Sequence, residues 1–319
     1  MVSRRSLRVV PIVCGLAAVL VVLVTGPGRA GEAPRPSSAP AIDPAQACRA
    51  PAGKTVRISF AVEGDGRRSA LVHLPRGRRG AVPLILALHG AYGSGAFMER
   101  YSGLSRLADR YGFAVVYPDS VGTRWRIAAT DTDADVRFLD GVLDRLLAGG
   151  CADEDRVSAV GVSNGGGMAA RFACAGEDRL AGLVSVAGGY GSLPQCQART
   201  PLSVLEIHGT ADSVVPYYGR PNDPGGSVLR WLGRWIDRDS CGRSPSRSES
   251  PARVQRLSWS SCRDGTEVRH LRLLGGAHAW PGADPPDPGP SFGISAAEEA
   301  WEFLRGRRRA SAVAKDHEG

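Results

Sequence analysis

Ser163 lies between two glycines in the segment GVSNG, which spans residues 161–165 and follows the apolar run VSAV. A serine hydroxyl becomes a nucleophile only when a base removes its proton and an acid orients that base. The chain contains 41 glycines, so chance can produce this pattern and other residues have to support it. A phosphate-binding loop would need G-x-G-x-x-G after the first strand or a lysine after the glycines, and Ser163 has neither.

An acid and a histidine follow the serine along the chain. Asp212 ends the segment HGTAD, and His278 lies in the segment GGAHAWPG, each just beyond an apolar run. Two other acids are alternatives to Asp212: Asp119 precedes the serine in the chain, and Asp223 lies deeper in the loop. The sequence therefore predicts Ser163 as nucleophile, His278 as general base and Asp212 as the acid that orients the base.

Apolar patterns predict the elements that position these residues. Alternating or continuous apolar runs predict eight strands, at 55–63, 69–75, 82–90, 113–119, 157–163, 180–188, 201–209 and 268–274. Helical spacing predicts helices at 95–111, 132–148, about 165–175 and 293–305, and one that includes Leu229, Leu232 and Ile236. Strands that alternate with helices indicate one α/β domain with a mostly parallel, doubly wound sheet and helices on both faces.

In such a sheet the chemistry lies at the carboxyl ends of the strands, where the three predicted residues occur. The connection between strands 180–188 and 201–209 is short, so we expect no lid over the site. Residues 240–262 are expected to form a loop tied by a disulfide.

The segments LHG, GVSNGGGM, HGTAD and GGAHAWPG resemble the secreted esterases that include catalytic domains of polyhydroxybutyrate depolymerases, with feruloyl and acetylxylan esterases as relatives. The resemblance covers about residues 50–305. The order serine, acid, histidine is that of α/β-hydrolases. The resemblance implies an α/β-hydrolase fold and a serine esterase that works through an acyl-enzyme, with no metal or organic cofactor.

Further site residues follow from the same pattern. The backbone N–H of Asn164 and that of Ala91, or alternatively Tyr92, are expected to form the oxyanion hole. Trp125 and Trp280 resemble aromatic residues near the acyl site of the family, and a packing role fits both equally well.

The chain departs from the family pattern in two places. It has AYGSG after the HG dipeptide, where many members have cysteine or a polar residue. Extracellular depolymerases usually add a linker and a polymer-binding module, whereas only a short tail follows the last predicted helix here. The substrate is therefore expected to be a soluble oligomer, or an ester side group on plant polysaccharide, and not insoluble polyester.

The amino terminus has the pattern of an export signal. Residues 1–30 combine a basic start, an apolar run of about 16 residues and a small-residue cleavage site, with a twin-arginine-like SRRSLR segment. An uncleaved anchor is the alternative. We expect a flexible lead-in at 31–47, the catalytic domain at 48–306 and a polar tail at 307–319, in an extracellular monomer with no membrane span after signal removal.

Charge and cysteine content refine these expectations. The four arginines of the signal account for half of the net charge of +8, and no basic stripe interleaved with aromatic residues predicts nucleic-acid binding. The six cysteines beyond the signal indicate disulfides, with 15 possible pairings. Proximity favours Cys241–Cys262 and Cys174–Cys196, which leaves Cys48–Cys151.

Two other functions remain open. An exported acyltransferase or a serine peptidase would use the same triad on the same fold. A non-catalytic binding protein is less consistent with a complete serine, acid and histidine set.

Overall fold

The computed structural model describes residues 41–175, 178–221 and 226–309. The predicted signal peptide, most of the lead-in, most of the tail and Asp223 lie outside the described residues.

One sheet organises the described chain. Its strands in chain order are β1 (Lys54–Val62), β2 (Gly66–Leu74), β3 (Val82–Leu88), β4 (Ala114–Pro118), β5 (Ala152–Val162), β6 (Gly182–Val186), β7 (Ser203–Gly209), β8 (Ser246–Glu249), β9 (Val254–Trp259) and β10 (Val268–Leu273). Their spatial order is β1-β2-β4-β3-β5-β6-β7-β10-β9-β8. All pairs between β4 and β10 in this order are parallel, and the outer pairs are antiparallel. This mostly parallel sheet confirms the predicted α/β-hydrolase fold.

Seven α-helices accompany the sheet in the described ranges, in addition to a short 3₁₀ helix at Arg263–Gly265. They are α1 (Pro44–Ala47), α2 (Gly95–Ser102), α3 (Leu104–Tyr111), α4 (Ala134–Ala148), α5 (Asn164–Ala173), α6 (Val228–Arg238) and α7 (Ala296–Leu304). The single helix predicted at 95–111 is two helices, because Gly103 takes a left-handed φ of 70° that ends α2 before α3 begins. No helix in the described ranges is long and apolar enough to cross a membrane.

The prediction of a loop at 240–262 is wrong in its centre, which forms β8 and β9. Strand β9 pairs antiparallel with β10, and β8 pairs antiparallel with β9. All four residues of β8 are exposed, so the segment has no apolar alternation from which a strand could be predicted. Backbone pairing with the neighbouring strand forms this part of the sheet.

The core lies on both faces of the sheet. Alternate residues of β3 show this, since Leu84 and Leu86 pack on one face and Ile85 and Ala87 on the other. Helices α4, α5 and α6 cover the first face, and α2, α3 and α7 cover the second. The central strands are therefore buried on both sides, which explains their continuous apolar sequences.

Three disulfides join Cys48 to Cys151, Cys174 to Cys196 and Cys241 to Cys262. These are the pairs that sequence proximity favours. The first links the segment after α1 to the start of β5 across 103 residues, the second encloses β6, and the third encloses β8 and β9.

Candidate active site

The carboxyl ends of β5, β6, β7 and β10 form one continuous stretch of the sheet edge. Ser163 directly follows β5, Asp212 lies three residues beyond β7, and His278 lies five residues beyond β10. Because neighbouring parallel strands end at the same edge, the fold brings these three predicted residues to one side of the molecule.

The serine occupies a strained turn between β5 and α5. Its backbone has φ 55° and ψ −120°, in a region that non-glycine residues rarely adopt. Its N–H donates to the Val186 carbonyl at 2.9 Å, which fixes the turn to the end of β6. The side chain is half-buried. This geometry is typical of a turn that presents a nucleophilic serine at the top of a parallel sheet.

The glycines on either side of the serine allow close backbone contact. A Cβ on Gly165 would lie 2.2 Å from the Leu88 carbonyl oxygen, and one on Gly161 would lie 2.1 Å from the Gly165 carbonyl oxygen. Such distances leave no space for a side chain. Neither glycine has a positive φ, so close approach of β3, β5 and α5 is the reason for glycine here.

Two backbone N–H groups, one directly after Ser163 and one after β3, have no acceptor among the described residues. Asn164 is the first residue of α5, so its N–H has no acceptor within the helix. The Tyr92 N–H donates to the Thr123 carbonyl at 2.5 Å, whereas no described residue accepts the Ala91 N–H. Of the two candidates after β3, Ala91 is therefore the one whose donor remains available.

Asp212 and His278 are hydrogen-bonded to each other. Nδ1–H of His278 donates to Oδ2 of Asp212 at 2.7 Å. The other oxygen, Oδ1, accepts the backbone N–H groups of Val214 and Val215 at 2.9 and 2.8 Å. Asp212 is buried, and His278 is partly exposed. An acid held in this way fixes both the tautomer and the orientation of the imidazole.

Burial raises the pKa of the Asp212 carboxyl, but hydrogen bonds from His208 and His278 outweigh this effect and hold the pKa well below its ordinary value. Asp212 is therefore an anion throughout the neutral range. The loops that carry the acid and the histidine are also joined, because the Ala211 N–H donates to the Gly276 carbonyl at 2.9 Å.

No protein-family model matches the chain. NocK of Nocardia uniformis subsp. tsuyamanensis, which is described as an esterase, is 32% identical to it over 96% of this chain and 99% of that protein. The chain belongs to this esterase family. It is a carboxylic ester hydrolase.

Two further proteins are similar to the esterase, one in sequence and one in fold. It is 27% identical to feruloyl esterase B of Piromyces equi over 66% of its own length, but spans only 42% of that relative. A solved acetyl xylan esterase from Aspergillus awamori covers 78% of the esterase and 98% of itself, with a TM-score of 0.59 and 14% identity. The structural likeness at this identity shows a shared fold.

Asp212 of the esterase has a second histidine neighbour that the sequence did not reveal. Nε2 of His208 lies 3.2 Å from Asp212 Oδ2, and its Nδ1 lies 2.8 Å from Oε1 of Glu206. The sequence held one sign of this contact. Glu206 and His208 stand two positions apart in a mostly apolar strand, so their side chains share one buried face, where polar groups need partners.

His89 holds the loop that carries Ala91. Its ring is buried, its Nδ1–H donates to the Gly90 carbonyl at 2.7 Å, and its Nε2 accepts the Ser120 N–H at 3.1 Å. Burial lowers the pKa of His89 below its ordinary value, so the ring is neutral. A neutral ring is what one donating and one accepting nitrogen require.

Trp125 and Trp280 are both fully buried. Nε1–H of Trp125 donates to the His89 carbonyl at 2.9 Å, and its backbone N–H donates to the Asn164 side chain at 2.7 Å. The Trp280 backbone N–H donates to Asp287 at 2.7 Å. In this structure the two tryptophans support the loops around the site through packing and these bonds.

The alternative acid Asp119 has other partners. Its Oδ2 lies 3.1 Å from Arg57 and accepts from Ser69 at 2.7 Å, while its Oδ1 accepts the Gly95 N–H at 2.8 Å. These bonds join Asp119 to β1, β2 and the start of α2, and none of them involves His278. Asp223, the other alternative, lies outside the described residues.

The Ser163 hydroxyl has no hydrogen-bond partner among the described residues. Catalytic hydrogen bonds often shorten only when substrate binds, so this geometry is compatible with a nucleophile. In the described ranges, no cluster of three or more histidine, cysteine or carboxylate side chains could hold a metal ion.

Proposed function

We propose that the protein is an exported serine esterase in which Ser163, His278 and Asp212 form the catalytic triad. The observation that carries this proposal is the 2.7 Å bond from His278 to Asp212 at the sheet edge that also presents Ser163 in its strained turn. Because Nδ1 keeps its proton on Asp212, Nε2 of His278 is the nitrogen that can accept the serine proton.

The reaction then proceeds in two halves. Nε2 of His278 takes the Ser163 proton as Oγ bonds to the ester carbonyl carbon. The N–H groups of Ala91 and Asn164 stabilise the negative oxygen of the tetrahedral intermediate. When the intermediate collapses, the carbon–oxygen bond to the alcohol breaks and the alcohol leaves with the proton from His278.

Water releases the acyl group from Ser163. His278 removes a proton from the water as its oxygen bonds to the acyl carbon. The bond between that carbon and Oγ of Ser163 then breaks as His278 returns the proton to Oγ, and the carboxylic acid is released. Asp212 stays ionised in both halves and stabilises the imidazolium that forms twice per cycle.

Export is supported by the disulfides. All three join residues far enough apart in sequence to constrain the unfolded chain, and such bonds persist in oxidising compartments. For the substrate we favour feruloyl or acetyl groups esterified to soluble carbohydrate, and the similarity to a feruloyl esterase supports the first of these.

The triad is tested with a short p-nitrophenyl ester and a fluorophosphonate probe. We expect Ser163→Ala to abolish both hydrolysis and probe labelling while the circular dichroism spectrum stays unchanged. Hydrolysis at wild-type rate by the variant would rule out this mechanism. A wild-type protein that the probe does not label would favour a non-catalytic binding protein.

The substrate is tested with feruloyl, acetyl and 3-hydroxybutyrate esters compared at equal concentration. We expect kcat/KM to be highest for a feruloyl or acetyl ester. A preference for 3-hydroxybutyrate oligomers would contradict the substrate assignment but leave the triad intact. Product analysis with added sugar alcohols separates hydrolysis from acyl transfer.

A further inference from the structure

A buried row of polar groups lies behind Asp212, and the mechanism above does not use it. Glu206 and His208 occupy one face of β7, and both are buried completely or almost completely. Oε2 of Glu206 accepts from the Tyr190 hydroxyl, which also contacts Ser185 Oγ at 2.5 Å. The row therefore runs from the end of β6, through Glu206 and His208, to Asp212.

Both nitrogens of His208 face oxygen acceptors. Nδ1 lies 2.8 Å from the Glu206 carboxylate, and Nε2 lies 3.0 Å from the Val215 carbonyl as well as 3.2 Å from Asp212 Oδ2. A neutral imidazole carries one N–H, so only the imidazolium can donate on both sides. His208 lies between two carboxylates, and its positive charge is balanced within the row.

We propose that His208 is a positioning residue that holds a permanent positive charge against Asp212, and that this charge extends activity to lower pH. The idea rests on the proposed function, because His278 has to act as the general base. The His208 charge offsets part of the negative potential that Asp212 exerts at His278, so without it the acid limb of the activity profile would lie at a higher pH.

The surroundings favour the charged form of His208. Burial lowers its pKa, but the hydrogen bonds to Asp212 and Glu206 outweigh burial and raise the pKa to about 9. Burial raises the pKa of Glu206, and the bond from His208 opposes that rise. The titratable and charged groups around the ring, from every element packed against it, are Tyr190, Glu206, Asp212, Tyr217, His270, Arg272 and, through Asp212, His278.

His270 supplies a matched control on the neighbouring strand β10. It is as buried as His208, and its Nδ1 also contacts Glu206, but at the backbone carbonyl, 3.1 Å away. Its Nε2 contacts the Tyr217 hydroxyl at 2.8 Å. Burial lowers the pKa of His270 to about 3, so this ring is neutral. The two histidines have similar burial and differ in charge and in contact with Asp212.

The experiment measures kcat/KM for a p-nitrophenyl ester against pH. The single change His208→Gln leaves Glu206 buried without its cation, so the double variant Glu206→Gln/His208→Gln is used, in which the amide at 208 retains a donor for Asp212. We expect the acid limb of its profile to move up by about 0.5 pH unit, because His208 lies against Asp212 and Glu206 lies on the far side of the ring, so the lost cation outweighs the lost anion. The variant His270→Gln is expected to leave the acid limb at its wild-type position.

An unshifted acid limb in a folded double variant would overturn the proposal, and so would an equal shift in His270→Gln. Nitrogen NMR of wild-type protein labelled with ¹⁵N-histidine is a second measurement that needs no variant. A charged His208 beside a neutral His270 at pH 7 is expected, and a neutral His208 would overturn the proposal. Failure of the proposed function would instead appear as wild-type protein with no hydrolysis and no probe labelling at Ser163.

Discussion

The two halves of the candidate site are held in place by different forces. Around Ser163, backbone segments approach so closely that Gly161 and Gly165 have no space for a Cβ. Around Asp212, buried charged side chains and backbone donors fix the carboxylate through four hydrogen bonds, two from imidazoles and two from N–H groups. The serine half is positioned by steric fit and the acid–base half by electrostatics.

The difference predicts how each half responds to change. A side chain added near the serine acts through overpacking, which is largely independent of pH. A charge removed near Asp212 acts through Coulomb interactions and protonation, so its effect varies with pH. Substitutions in the two halves therefore test separate physical mechanisms within one site.

The largest effect is expected from Asp212→Asn. The amide keeps an oxygen for the N–H groups of Val214 and Val215, but places N–H donors where His208 and His278 also donate. The amide therefore favours the His278 tautomer whose proton is on Nε2, which cannot accept the serine proton. We expect kcat for a p-nitrophenyl ester to fall about 10³–10⁴-fold. As a control, Asp119→Asn should keep kcat near the wild-type value, because its partners belong to β1, β2 and α2. Equal losses in both variants would contradict the assignment of the acid.

Gly165→Ala should disrupt the serine half. The new Cβ would lie 2.2 Å from the Leu88 carbonyl oxygen and 2.4 Å from that of His89, so β3 and α5 have to separate. We expect the free energy of unfolding to fall by about 3 kcal/mol or more, measured by urea unfolding with the disulfides intact, together with a loss of kcat. Gly189→Ala is the control, since nothing lies within 4 Å of its Cβ position. Similar losses in both would show that steric fit is not specific to Gly165.

The smallest effect is a change of stability with pH in the acid–base half. The pKa of His208 is raised to about 9 in the folded state. The stabilisation that the His208 charge contributes is therefore fully present below the unfolded-state pKa of about 6.5 and is lost as the pH rises through 9. We expect the free energy of unfolding of the wild-type protein to fall by about 2–3 kcal/mol between these limits. The decrease should be absent in Glu206→Gln/His208→Gln, and its persistence there would assign it to other groups.

The sequence was sufficient to predict the central sheet and the loops that carry the candidate site residues. Continuous apolar runs such as 82–88 and 203–209 match strands buried on both faces, and chemistry-bearing residues follow them. The pattern fails where backbone pairing forms a strand without apolar side chains. Ser246–Glu249 is fully exposed, and only Val254 of β9 is fully buried, so neither strand has a clear period of two.

The role of His208 could not be predicted from the sequence either, for a different reason. Periodicity places Glu206 and His208 on one face of β7 but does not reveal that the loop after β7 folds Asp212 back onto the same ring. Hydrogen bonds over such short separations depend on the loop path. The break at Gly103 is a similar case, because the residues on both sides have helical spacing and only the backbone shows the positive φ.

The two edges of the ten-stranded sheet affect how the protein behaves at high concentration. An uncovered edge offers unpaired N–H and carbonyl groups to another chain, which promotes aggregation. Strand β8 forms one edge with only serine, arginine and glutamate side chains, all exposed. At the other edge, Ile42 lies along β1, with its N–H donating to Arg57 and its carbonyl accepting from Ser59. The short polar strand at one end and the added backbone contact at the other both disfavour fibrillar association between copies.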